Sequence, residues 1–287
     1  MKLIDSLTSR YKILTHNNRA FFGFLILILY FLMATIGPHL VSLDNIIDYA
    51  GRYQGISLQH WLGTDYAGRD TFSQIVHGST DVMLIAFSTA FFATFMAIII
   101  GIFSGLKGGR IDAFIMKIVD ILLTLPQFPI MAIFAGIFTI KDSITFGILL
   151  ACFSWAPLSR GIRSQVLSIK NKEFIEVCHI MNMSTFHIIF KELLPNMIPF
   201  ISINFIHIAK NAIIASVGIM LLGIVPLSVT NWGMMINIAT KQVGAIYVPH
   251  ALPYLLSPIF FIVVFQFALI NFASGVEELF DPRSRGR

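Results

Sequence analysis

MLIAFSTAFFATFMAIIIGIFSGL, residues 83–106, contains no Asp, Glu, Lys or Arg. A bilayer core of about 30 Å takes roughly 20 apolar residues of helix to cross. This run therefore reads as a transmembrane helix, because only a helix satisfies its own backbone in lipid. Working outward, apolar runs of similar kind occupy 20–38, 111–140, 144–159, 196–225 and 251–274. The third span, 111–140, carries Pro126 and Pro129, so it is expected to kink or to break at Pro126. Six spans are predicted, giving an all-α polytopic membrane helix bundle. Composition agrees. Of the 287 residues 56% are hydrophobic and 12% charged, with mean hydropathy +0.80, against about 25% charged in soluble domains. The two cysteines, Cys152 in an apolar run and Cys178 in a basic loop, do not form a disulfide framework. The first run ends in Gly37-Pro38 without a small-residue cleavage site, and is read as a retained anchor.

Charge sets the expected orientation. With six spans, fifteen of the 20 Lys and Arg fall on one side: Lys2, Arg10, Lys12 and Arg19; Lys107, Arg110 and Lys117; Arg160, Arg163, Lys170, Lys172 and Lys191; Arg283, Arg285 and Arg287. Arg52, Arg69, Lys141 and Lys241 fall on the other, and Lys210 lies inside the fifth span. Both termini are then cytoplasmic, in a multi-pass membrane protein. The net charge of +5 reports this topology, with no nucleic-acid partner. The organisation expected is a cytoplasmic segment 1–19, an anchor helix 20–38, an extracytoplasmic loop 39–82, a core of five spans over 83–275 and a cytoplasmic tail 276–287. A cytoplasmic loop at 160–195 interrupts that core.

Two stretches escape the lipid. The outer one contains HWLGTDYAGRD, residues 60–70. It reads either as a loop held by glycine turns and a pairing of Arg69 with a nearby Asp, or as a direct ligand contact. The cytoplasmic one reads as two short helices. The first, over 172–181, places Phe174, Ile175, Val177, Cys178 and Met181 at helical spacing. Asn182 ends it, since Asn tolerates the left-handed conformation. Ser184 caps the second, which carries Phe186, Ile188, Ile189 and Phe190 and is limited by Pro195. Such a pair lies on the membrane, packs on its own bundle or docks a partner. The acidic Glu173 and Glu176 favour a partner over anionic lipid.

This cytoplasmic loop resembles the coupling loop of binding-protein-dependent ABC importer permeases. Glu176-Val177-Cys178 stands at that family's Glu-Ala-Ala, Asn182 at its Gly, and Glu192-Leu193-Leu194-Pro195 at its closing segment. Both alanines are larger here, and Glu192 replaces Ile. The 60–70 run resembles the outer signature of peptide/nickel importer permeases. So do Asp112, Asp120 and Leu125-Pro126, the run from Trp155 to Arg163, Leu221-Leu222-Gly223, Asn231-Trp232-Gly233 and the terminal Leu279-Phe280-Asp281-Pro282-Arg283. The resemblance covers about residues 10–285. It implies a type I ABC importer permease fold and the second permease type of a heterodimer. The implied partners are another permease subunit, two cytoplasmic ATPases that use ATP and Mg²⁺, an external solute-binding protein and membrane lipid. It also implies ATPase coupling through Glu173, Glu176, Val177, Cys178, Met181, Asn182 and Pro195.

Nothing in the residues supplies chemistry to this chain itself. There is no phosphate-cradling G-x-x-x-x-G-K-[ST] loop, no H-E-x-x-H and no nucleophile elbow, so a non-catalytic subunit without cofactor or metal is expected. Two polar features lie within spans. Asp120 would cost about 2.5–3.5 kcal/mol at a helix centre. It is expected either to pair with Lys117, one turn away, or to serve the substrate. Asn204, His207, Lys210 and Asn211 recur at spacings of three and four, forming one polar stripe that faces the pathway or a neighbouring subunit. The expected function is ATP-driven uptake of nickel, a metal chelate or a small peptide. The alternative, an autonomous secondary transporter or channel, calls for inverted repeats or a path of membrane carboxylates, and the sequence shows neither.

Overall fold

The computed structural model describes residues 18–43, 46–225, 227–242 and 244–280. The charges of the N-terminal 17 residues and of the tail from Asp281 onward, on which the placement of both termini rests, lie outside them. Among the described residues there is no strand, only a single antiparallel bridge between Thr64 and Asp70.

The first span is α1, Asn18–Thr35. The second, α2, covers Thr71–Lys107, so it begins well before the apolar run and the outer loop ends at residue 70 instead of 82. Its polar first turns are buried inside the protein. Asp70 caps them by accepting from the Ser73 amide at 2.7 Å, Ser73 donates to Ser42 O and Thr80 to Ala34 O. Hydropathy cannot register a helix whose polar groups are satisfied by protein.

The third span breaks. α3, Gly109–Thr124, and α4, Gln127–Ile137, meet at 91°. Leu125, ahead of Pro126, is extended at φ −75°, ψ 139°, the conformation a following proline imposes. The fourth span bends by 53° between α5, Ser143–Ser154, and α6, Ala156–Ile169. Pro157 withholds an amide from the ladder there. Then follow the short α7, Glu173–Ile180, and α8, Thr185–Leu221. A short buried α9, Trp232–Asn237, precedes the last span α10, Leu252–Phe280. Among the described residues four helices are long and apolar enough to cross a membrane alone; counting each bent pair as one crossing gives six.

α8 overturns the expectation that Pro195 limits a separate cytoplasmic helix. The helix begun at Thr185 runs through Pro195 into the fifth span. It does so by widening to a π turn over Ile188–Leu193, where the Leu194 amide reaches back five residues to Ile189 O. The wider turn accommodates a residue that can neither donate nor fit closely behind the preceding carbonyls.

Close helix contact organises the bundle. Gly101 and Gly105 of α2 face Ser159, Ile162 and Val166 of α6; a Cβ on Gly101 would meet Ser159 O at 2.7 Å. This is the small-xxx-small approach typical of membrane helices. Tyr30 ties α1 to α10 by stacking on Phe265 at 4.9 Å and donating to Phe261 O at 2.7 Å. Phe87, Phe91 and Phe95 stack along the outward face of α2, as suits contact with lipid.

Candidate functional site

The loop between the fourth and fifth spans is built from its ends inward. α7 is separated from α6 by three residues and carries Glu173 and Glu176 in its first turn, where carboxylates suit the positive end of a helix. It stops in a Schellman motif. The Asn182 amide donates to His179 O and the Met183 amide to Cys178 O, both at 3.0 Å. Asn182 is left-handed, at φ +54°, as its side chain predicts. Ser184 caps α8 by accepting from the His187 amide at 3.2 Å.

The two faces of α7 differ. Ile175 is 1% exposed and packs with Cys178, Val166, Ile169, Ile188 and Leu193 in one apolar cluster. Cys178 is therefore not on the docking face expected for it. It points into the bundle and anchors the helix. Val177, Ile180 and Met181 project outward, Ile180 being 79% exposed. Beside them on α8 stand Phe186, 75% exposed, and Phe190, their rings parallel with centroids 6.4 Å apart. The spacing of four residues places these two phenylalanines on one face, though the sequence alone did not separate them from the inward Ile188. Glu173 and Glu176, on the same helix as Val177, are exposed, and Pro195 is exposed farther along α8.

Ion pairs brace the helices that enter this loop. Arg163 of α6 grips Asp112 of α3 with two nitrogens, and Ser104 of α2 donates to the same carboxylate. Lys170 reaches Gly105 O at 3.0 Å. Asp120 pairs with Arg160, not with Lys117. Sequence spacing offered Lys117 as the near cation, whereas the folded chain brings in an arginine forty residues away.

The polar stripe of α8 stays on one side of that helix. Asn204 and Lys210 are half-buried, His207 and Asn211 exposed. Asn204 donates to Phe200 O at 2.8 Å, and Gln266 of α10 donates to Lys210 O at 2.9 Å. A cavity of about 340 Å³ between α1, α2, α8 and α10 is lined by Phe24, Phe31, Met83, Phe87, Phe205, Phe272 and further apolar residues. It offers a polar cargo no hydrogen-bond partner, so it is not a pathway for one.

At the opposite end of the second span, residues 46–70 close around Asp65, which is fully buried. Its carboxylate accepts from the amides of Ala67 and Arg69, from Arg69 Nε at 2.9 Å and from Gln74 Nε2 at 3.0 Å. Burial pulls the Arg69 guanidinium down, but the hydrogen bond to Asp65, the Asp65 charge and Tyr66 together outweigh it and leave its pKa above the usual value. Gly68 has φ +82°, and a Cβ there would collide with Asp48 O. His60 Nδ1 lies 3.0 Å from Asp70. The glycine turns and the Arg69 pairing expected of this loop are both present.

The sequence is similar to known proteins. Residues 97–286 match the family described as binding-protein-dependent transport system inner membrane component. The chain is 30% identical over 283 residues to a dipeptide transport system permease protein of Bacillus subtilis (strain 168), covering 95% of this chain and 84% of that one. It is 31% identical over 270 residues to a putative peptide permease protein of Brucella suis biovar 1, covering 93% and 88%. An oligopeptide transport system permease protein of Bacillus subtilis is 29% identical over 272 residues, covering 94% and 87%. With its bundle of broken and continuous spans and its anchored short helix α7, the chain belongs to the ABC permease family of binding-protein-dependent inner membrane transport components.

Proposed function

We propose that this chain forms half of the transmembrane pathway of an importer and transmits the work of separate ATPases to it. A second, different permease completes the pathway. Two cytoplasmic ATPases bind ATP and Mg²⁺, and a solute-binding protein delivers cargo from outside. Both termini are cytoplasmic, the side of the Lys- and Arg-rich segments. The chain itself catalyses nothing. Its cargo is a small peptide or a metal chelate, and the names of the relatives favour the peptide.

One observation carries the coupling role. α7 is fixed to the bundle by Ile175 and Cys178 while Val177, Ile180 and Met181, with Phe186 and Phe190 beside them, face outward. Full burial of such side chains contributes about 1.5–3 kcal/mol each, so a groove on an ATPase that covers three or four of them holds the helix firmly. Because α7 is connected directly to α6 and α8, moving it moves the fourth and fifth spans.

Val177→Asp tests this. The variant is expected to insert and to pair with the other permease, while the ATPase subunits no longer co-purify and uptake is abolished. Wild-type uptake together with wild-type ATPase retention would show that α7 is not the docking element.

A further inference from the structure

We infer that Lys210 is the charge-selecting contact for a carboxylate on the cargo as it passes the middle of the membrane; this rests on the import function proposed above. Lys210 stands eleven residues before Leu221, the outer end of α8, which is about 16 Å of helix. In a hydrocarbon core of about 30 Å that is close to the midplane, the depth at which transported solutes are commonly held.

A charged side chain at this depth is costly unless it faces water, a counter-charge or a polar ligand. Among the described residues no carboxylate forms an ion pair with Lys210. Glu277, on α10, is within electrostatic reach of His207, but it is not bonded to the lysine. The stripe also supplies Asn204, His207 and Asn211 over two helical turns, with His207 and Asn211 exposed. Gln266 anchors the lysine backbone from α10, and its own Oε1 is buried without a partner, so the polar seam extends between the two helices.

The residue type favours cargo over a fixed partner in the neighbouring permease. A permanent buried pair is best made by the planar, forked and weakly hydrated arginine; lysine is a strongly hydrated point charge on a flexible stem. This chain uses arginine for its own static pairs, Arg69–Asp65, Arg160–Asp120 and Arg163–Asp112. The lysine at midplane suits a wet path and a transient anion. A peptide C-terminus and a carboxylate-based metal chelate share that chemistry.

The test uses the complete transporter in proteoliposomes with its binding protein and ATP, and two probes: radiolabelled trialanine and nickel-63 citrate. For whichever probe the wild type imports, Lys210→Met is expected to raise the apparent KM tenfold or more. Lys210→Glu should be worse still, and Lys210→Arg should stay within about threefold, with all subunits still co-purifying. The probe that is carried identifies which source of carboxylate the site serves. Wild-type uptake by Lys210→Met or Lys210→Glu overturns the inference and leaves the import function standing. Loss of the second permease from purified Lys210→Met overturns it in favour of an intersubunit ion pair. Import of neither probe by a wild type that hydrolyses ATP overturns the proposed cargo class and this inference together.

Discussion

Two regions of this molecule stand outside the lipid, and they are held by different forces. The outer element over residues 46–70 is organised around a buried charge, with Asp65 receiving two backbone amides, Arg69 and Gln74. The helix α7, between the fourth and fifth spans, has no such centre. It is seated by Ile175 and Cys178 against an apolar cluster. Directional bonds fix a shape, because each works at one geometry. Apolar seating holds a helix in place without specifying every angle. The outer element is thus suited to keep one form throughout a transport cycle, and the inner helix to be carried as a body.

That contrast can be broken by substitution. The largest effect is expected from Asp65→Ala, which leaves Arg69, Gln74 and two amides without their acceptor. Breaking a buried pair by removing one partner costs about 3–5 kcal/mol. Hydrogen exchange should show lost protection across 46–70 with little change in α7; unchanged protection would mean that Asp65 is not the centre. A smaller effect is expected at the end of α7. Asn182→Ala places a Cβ-bearing residue without a compensating side-chain amide in the left-handed region, at a cost of about 1–2 kcal/mol. Asn182→Gly should melt no lower than the wild type. If alanine is tolerated as well as glycine in thermal melts of the assembled complex, the Schellman end does not control this helix. The smallest effect is expected from His60→Ala. Its contact with Asp70 is partly exposed and is worth at most about 1 kcal/mol. Transport should remain mostly intact, and complete loss at normal protein level would give His60 a role in cargo delivery.

The spans were legible because lipid leaves an unambiguous record in composition. The loop motifs were legible where one residue type answers one backbone need, as with Asn182 at φ +54° or Gly68 at φ +82°. Failures had a common cause: a side chain whose partner is far away in sequence. Residues 71–82 look like loop because Ser73 and Gln74 are polar, yet they are buried with partners at Ser42 and Asp65. Asp120 looks for Lys117 along its own helix but meets Arg160. Cys178 shares the helical period of Val177 and Met181, and only the packing against Ile188 and Leu193 shows that it turns inward. The polar stripe of α8 was legible as a stripe, since periodicity within one helix needs no knowledge of the rest.

The π turn at Ile188–Leu193 also sets a compass bearing. Phe186 and Asn204 are eighteen residues apart, which in an unbroken helix is five whole turns of 3.6 residues. They would then look the same way, and the apolar surface of Phe186 and Phe190 would continue straight into the polar stripe. One residue taken up by the wide turn rotates everything beyond it by roughly 100°. A single rod thereby presents its greasy end in one direction and its hydrophilic flank in another. It remains stiff enough for a push on the first to swing the second.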